Sequence, residues 1–580
     1  MDRPAERPEV SDPERSAVPF RRRAILLLIV LLALALRLAY LHDIRDQPLY
    51  THLVVDQEAY DSWAAEIAAG DWLGQKVFYQ DPLYPYLLGA VYAVFGRSLT
   101  LVYLLQSALS AATCLLVYGI GRRAFDDPRI GSWAALFWAV YKVDFFYQAQ
   151  IGKTGPGTCL AALALWLLLL ARDRPGRLVG AAAGSVAALL PLDRGNYLLV
   201  VPLLIAWLCR EWWKRLSRAA LVPAFAVVAG AALVLAAVAA RNYAVSGEIV
   251  LTTSQAGPNF YIGNNELANG RYVTLPFVRA HPRYEAADFR AEAERRSGRP
   301  LSGAEVSRFW TREALRWIGS NPLRAAKLQL LKLRVLLYRI EAPDNLNYDF
   351  FRDRLSAVLR LPLAAFWLAG PFGVAGLVLA LARRRAGLLS LYVLSYAATL
   401  IAFFVVGRYR MALVPVLLVL AAYALVAAWD ALRLRSWKTV ALLVSAYALT
   451  AVVAYPRWTR PKYDVAWSRL GNAHAAAGNH EEAVAAFRES LAIDPRPLLP
   501  WIGLGRAYEA LGRNEEALET YRECVETHPE SAVVHFQIGA LLLRLGRTAE
   551  GAEELRRGLA LDPAHEPARE WLRSLGHEPF

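Results

Sequence analysis

Residues 24–41 read AILLLIVLLALALRLAYL, an apolar run interrupted by one charge, Arg37. Wound as a helix, such a run approaches the roughly 30 Å needed to cross a bilayer's hydrocarbon core. It is longer than the apolar part of a secretory signal, and no small-x-small site precedes His42, so it is expected to stay as a first membrane helix. Outward from it, comparable runs recur at 99–120, 131–148, 154–171, 178–192, 196–209, 219–240, 358–382, 388–406, 410–429 and 437–455. With residues 24–42 they predict about eleven spans, an all-α polytopic bundle. No such run follows, so a soluble tail is expected at the C-terminus.

The 580 residues are 56% hydrophobic with a net charge of +14, which alone would suggest nucleic-acid binding. The basic residues instead cluster in short loops, at Arg21–Arg23, Arg122–Arg123, Arg172–Arg177, Arg210–Arg218, Arg383–Arg385 and Arg433–Lys438. That is the positive-inside signature of membrane topology, so no nucleic-acid partner is expected. It predicts a cytoplasmic tail (1–22), a membrane domain (23–456) with outer loops at 43–98 and 241–357, and an extracytoplasmic C-terminal domain (462–580) in a plasma or bacterial inner membrane. The apolar stretch Pro82–Gly96 is too short for a span and fits a helix at the outer surface. Cys114, Cys159, Cys209 and Cys524 show no metal or disulfide spacing.

The tail is periodic. Pro495, Pro529 and Pro563 stand 34 residues apart, as do Gly471, Gly505 and Gly539, and Gly478, Gly512 and Gly546. Trp467, Trp501 and His535, then Leu470, Leu504 and Ile538, then Phe487, Tyr521 and Leu555, keep the same period. This is the tetratricopeptide (TPR) pattern of paired helices. It predicts an α-solenoid with repeats at about 464–497, 498–531 and 532–565 plus a terminal helix near Arg569–Leu575. The array would offer a surface for a protein partner or brace the membrane domain.

Asp56 is the leading candidate for chemistry. Helical spacing sets it on one face with Tyr60 and Trp63, in the loop after the first span. Among apolar and aromatic neighbours its proton affinity would rise, which suits a general base; a solvated helix start is the plainer reading. Lys153, Arg194, Arg241, Arg408 and Arg410 are expected on the same outer side. Each alone is an ordinary interfacial anchor, but as a ring they suit a lipid phosphate. Arg37 would snorkel or pair within the bundle. His52 is a lone histidine, and no residue set is assigned to a metal. Gly152–Thr154 lacks the rest of a phosphate loop, so no nucleotide cofactor is expected, and a divalent metal stays open.

These features resemble the GT-C glycosyltransferases, especially the protein O-mannosyltransferase and aminoarabinose-transferase group, over roughly residues 20–430. The resemblance rests on Asp56 and Tyr60, Asp81-Pro82-Leu83-Tyr84-Pro85-Tyr86 leading to Phe95-Gly96, Gly121-Arg122-Arg123, Arg241-Asn242-Tyr243, and Arg408-Tyr409-Arg410. It implies that Asp56 is the catalytic carboxylate and that Arg241 helps bind a polyprenyl phosphate. The family's acidic-basic pair ahead of the Pro-Leu element has Tyr79 and Gln80 in its place here, followed by Asp81. The implied activity is transfer of a sugar from a polyprenyl-phosphate donor to an extracytoplasmic hydroxyl on a protein, peptide or glycolipid. A non-catalytic TPR scaffold and a lipid or solute transporter are the alternatives, the latter calling for mid-membrane polar residues or an internal repeat.

Overall fold

The computed structural model describes residues 13–279, 282–454 and 462–575. Among them no strand occurs; the only ladder-like pairing is an isolated bridge between Tyr141 and Ala364. Two compact units are present, one built from the chain up to Arg45 and from Val55 through the last apolar helix, the other from Asp46–Val54 and the C-terminal array.

The first unit is a bundle of apolar helices, and the chain is an integral membrane protein. Helices occupy every expected run: Pro13–Ile44, Leu99–Phe125, Pro128–Ala139, Thr154–Asp173, Arg177–Asp193, Tyr197–Leu216, Leu221–Ser246, Phe366–Ala382, Gly387–Ala402, Val414–Arg433 and Trp437–Ala454. By length and composition, six stretches among the described residues can cross a membrane, Tyr197–Ser246 counting as one of 50 residues. The others are shorter. The run at 131–148 does not form one span. Its helix stops at Ala139, Tyr141 bridges to Ala364, and a separate helix covers Lys142–Gln148. Two charges explain the break. Lys142 Nζ donates to the carbonyls of Leu359 and Leu361 at 2.7 and 2.8 Å, and Asp144 accepts from Arg37 at 2.7 Å. A continuous helix would leave both groups facing apolar surroundings, where unpaired charge is costly. Arg37 thus pairs within the bundle, fully buried, with Ser110 as a further partner at 2.7 Å.

Small residues let helices meet closely. A Cβ on Gly180 would lie 3.0 Å from the Pro223 carbonyl, and Gly184 and Gly230 approach the facing backbone as tightly. Pro82–Gly96 forms the short helix Leu83–Phe95, with Leu87, Val94 and Phe95 exposed. Between Leu221–Ser246 and Phe366–Ala382, the helix Gly303–Ser320 starts with a capping box of Ser302 and Glu305. Pro322–Leu337 exposes Leu323, Leu330 and Leu333, but Lys332 on the same helix does not face solvent. It is buried, donating to Asn264 Oδ1 at 3.0 Å.

The second unit stacks helix pairs: Asp464–Ala476 with His480–Ile493, Leu498–Ala510 with Asn514–Thr527, and Ala532–Arg544 with Thr548–Leu561, closed by Glu566–Ser574. Two of the periodic columns meet each other. A Cβ on Gly471 would strike Phe487 at 2.8 Å and one on Gly539 would strike Leu555 at 2.9 Å, with Gly505 equally tight against Tyr521. Gly478, Gly512 and Gly546 turn between the helices at φ of +80°, +72° and +77°, a region that favours glycine. A further column, Val465, Leu499 and Val533, stays 52%, 65% and 46% exposed.

Candidate active site

Asp56 is the first residue of the helix Asp56–Ala68, where the helix dipole favours a carboxylate. The chain enters through Val55 at φ 56°, a strained setting for a β-branched residue. Asp56 Oδ2 accepts from Arg408 Nη1, and the same guanidinium pairs through Nε with Asp344. One arginine therefore sits between two carboxylates. Burial by itself would lift the proton affinity of Asp56, as the sequence suggested. The Arg408 charge and hydrogen bond, with Asn345 and Lys153 adding to them, reverse this and hold the carboxyl below its ordinary value. Tyr60 is buried beside it, edge-on to Tyr84 at 5.6 Å, and burial pushes its phenol up to about 12.

Asp56, Tyr60, Asp344, Asn345, Arg408 and Lys153 line a crevice of about 30 Å³. Lys153 is also in the wall of a larger cavity of about 310 Å³, with Asp81, Arg194, Leu198, Leu199, Leu400, Phe403 and Tyr409 among its lining residues. Lys153 pairs with Asp81, which also accepts from the Gly195 N–H at 3.1 Å and from Gln255 at 3.3 Å. Burial disfavours the Lys153 ammonium, but Asp81 together with Tyr60 and Tyr409 outweighs it and the proton affinity rises. Arg194 is 4% exposed, lies 3.4 Å from Asp193 and stacks on Tyr409 at 4.9 Å. Its Nη1 has no hydrogen-bond partner among the described residues. A buried donor of this kind costs free energy until an acceptor arrives. Cations at one wall, with Leu198, Leu199, Leu400 and Phe403 among polar groups elsewhere, can receive a phosphate on an apolar chain.

The structure thus brings Asp56, Tyr60, Asp81, Lys153, Arg194 and Arg408 together. It sets Arg241 and Arg410 elsewhere. Arg241 lies over the Phe78 ring at 3.7 Å, donates to the carbonyls of Leu73 and Lys76, and lines a separate open cleft with Trp63 and Tyr79. Arg410 is 2% exposed, pairs with Glu341 at 2.6 Å and donates to the carbonyls of Leu336 and Tyr338. Sequence reasoning missed Glu341, Asp344 and Glu285. Glu285 accepts from Tyr79 and Tyr272 at 2.9 and 3.2 Å, and burial raises its proton affinity, with Asp56 adding to the effect. The one available signal was the acidic pair Glu341-x-x-Asp344, which matches the spacing of Arg408-x-Arg410 closely enough to make two rungs.

Residues 80–240 match the dolichyl-phosphate-mannose-protein mannosyltransferase family, and residues 445–496 and 474–535 match tetratricopeptide repeat families. The undecaprenyl phosphate-alpha-4-amino-4-deoxy-L-arabinose arabinosyl transferase of Pseudomonas aeruginosa (strain LESB58) is 28% identical over 196 residues, covering 32% of this chain and 35% of that protein. The second such transferase of Pseudomonas fluorescens is 29% identical over 198 residues, covering 32% and 33%. The chain spans about a third of the length of the curated relatives it matches. Among solved structures, ArnT from Cupriavidus metallidurans bound to undecaprenyl phosphate aligns with 87% of this chain and 80% of its own at 15% identity, with a TM-score of 0.34. That score is too low to fix a shared fold. Part of the membrane unit is thus similar to the mannosyltransferase family, and part of the C-terminal unit to tetratricopeptide repeats.

Proposed function

We propose that the membrane unit transfers a sugar from a polyprenyl-phosphate donor to an acceptor hydroxyl on the extracytoplasmic side, with inversion at the anomeric carbon and Asp56 as base. The observation that carries this reading is the pair of cavities separated by Lys153: a carboxylate crevice on one side, and a mainly apolar cavity with an arginine whose Nη1 lacks a partner among the described residues on the other. The acceptor oxygen forms a bond to the anomeric carbon while its proton passes to Asp56. The bond from that carbon to the phosphate oxygen breaks, and the polyprenyl phosphate leaves with its electron pair. Lys153 and Arg194 take the growing phosphate charge. A phosphate leaves without being protonated, so one carboxylate suffices. Arg408 holds Asp56 as the anion, ready to accept.

Arg241 and Arg410 take supporting parts in this reading, Arg241 fastening the 71–78 loop and Arg410 anchoring the segment that carries Arg408. The N-terminus is placed in the cytoplasm and the TPR array outside, where the exposed Val465, Leu499 and Val533 column suits a protein or peptide partner. The test is Asp56→Asn in the full chain, scored by sugar reaching the envelope fraction and by binding of undecaprenyl phosphate. Loss of transfer with binding kept supports the reading; undiminished transfer rejects it.

A further inference from the structure

The sharing of one guanidinium by two carboxylates has a chemical use. Arg408, its side chain 18% exposed, lies between Asp56 and Asp344, and the turn that carries it is fixed from behind. Gly407 N–H donates to the Ala342 carbonyl at 2.9 Å, and Glu341 holds Arg410 at 2.6 Å. Glu341 and Asp344 thus form two rungs with Arg410 and Arg408, so Asp344 meets Arg408 in a fixed geometry. If Arg408 had Asp56 alone, protonating Asp56 would leave a largely desolvated cation without its counter-ion, a costly state. With Asp344 in place the cation keeps a partner throughout.

Resting on the reading of Asp56 as base, we propose that Asp344 is a positioning residue that retains Arg408 as its counter-ion while Asp56 takes the acceptor's proton. The groups facing Asp56 are Arg408 from the 407–410 turn, Asp344 and Asn345 from the outer loop, Lys153 ahead of its helix, Glu285 from the 282–297 helix, and Tyr60 one turn along. Of these, Asp344 alone is joined to Asp56 through a shared ion-pair partner in the described residues. Neutralising Asp344 leaves Arg408 to Asp56 undivided, which makes Asp56 a weaker base without touching the donor cavity.

The test compares Asp344→Asn and Asp344→Glu in the full-length protein in lipid. Two readouts are taken: sugar transferred to the envelope fraction in cells, and affinity for undecaprenyl phosphate in the purified protein. Asp344→Asn is expected to lower transfer about tenfold, the effect of a one-unit loss of base strength, while undecaprenyl phosphate binds as before. Asp344→Glu, which keeps the charge, is expected to recover most of the transfer. Unchanged transfer in the Asn variant overturns the proposal, and so does loss of binding and thermal stability in both variants, which marks Asp344 as structural only. Should the Asn variant fail to fold, Asp344→Ser repeats the neutralisation with a smaller side chain. Asp56→Asn runs alongside: if it too leaves transfer intact, the base assignment itself has failed, whereas loss of transfer there with none at Asp344 removes only this inference.

Discussion

In the C-terminal array one glycine column meets its partner at a fixed distance along the chain, sixteen residues from Gly471 to Phe487, from Gly505 to Tyr521 and from Gly539 to Leu555. In the candidate site of the membrane unit the partners are 72 residues apart for Asp81 and Lys153 and 352 for Asp56 and Arg408. The array is held by repeated local packing, each unit resting on its neighbours. The candidate site is held by a few ion pairs whose members reach it from separate parts of the chain. A substitution in the first region should therefore be repeated in kind at each equivalent position. A substitution in the second should act through a single named partner.

The largest effect is expected from Asp56→Asn, a fall in sugar transfer of about 10²–10⁴-fold, the range for removing a general base, with the protein still folded because Arg408 keeps Asp344. An assay of transferred sugar with a parallel melting curve checks this, and unfolding of the variant would show that the pair had been structural. Next, Arg194→Ala should weaken undecaprenyl phosphate binding by about 10–30-fold, a charge-assisted hydrogen bond of about 1.5–2 kcal/mol. Arg241→Ala should change that affinity far less; the reverse order, read by calorimetry, would return Arg241 to the phosphate site. In the array, Gly505→Val should cost about 1–3 kcal/mol by overpacking against Tyr521. Hydrogen exchange of residues 498–527 would report it, and the equivalent change at Gly539 should match it within a factor of two if the repeats are energetically alike.

The smallest effect concerns Lys332. Burial brings its ammonium down to about 7. Above that pH the folded chain has released a proton that the unfolded chain keeps until its ordinary, higher value. The unfolded state then binds more protons, so stability rises with pH from about 7 upward. The Lys332→Met variant should lack this rise, and melting temperatures taken at pH 6 and pH 9 would show whether the slope disappears.

How much could be read without coordinates differs along the same line. The helix positions of both units were legible, because apolar runs and a 34-residue period are local signals. The break after Ala139 was half-legible: Lys142 and Asp144 stood in a run too charged for a span, and they are what ends it. Asp56, Lys153, Arg194 and Arg408 were legible as residues but not as partners. Arg241 and Arg410 look identical to Arg408 in sequence, and only the carbonyls and Glu341 around them tell them apart. The direction of the Asp56 shift was misjudged for the same reason, since burial was foreseeable and its neutralising arginine, hundreds of positions away, was not.

The tightness of the crevice beside Asp56 bears on waste. A crevice of about 30 Å³ has room for a few waters at most, since one needs about 10–15 Å³ on this measure. An activated sugar parked at Lys153 would face a base with only those few waters beside it. The acceptor must widen the crevice to enter, so the protein would spend its carrier-bound sugar on the intended hydroxyl rather than on hydrolysis. A donor that is consumed as fast without acceptor as with it would show that water enters freely after all.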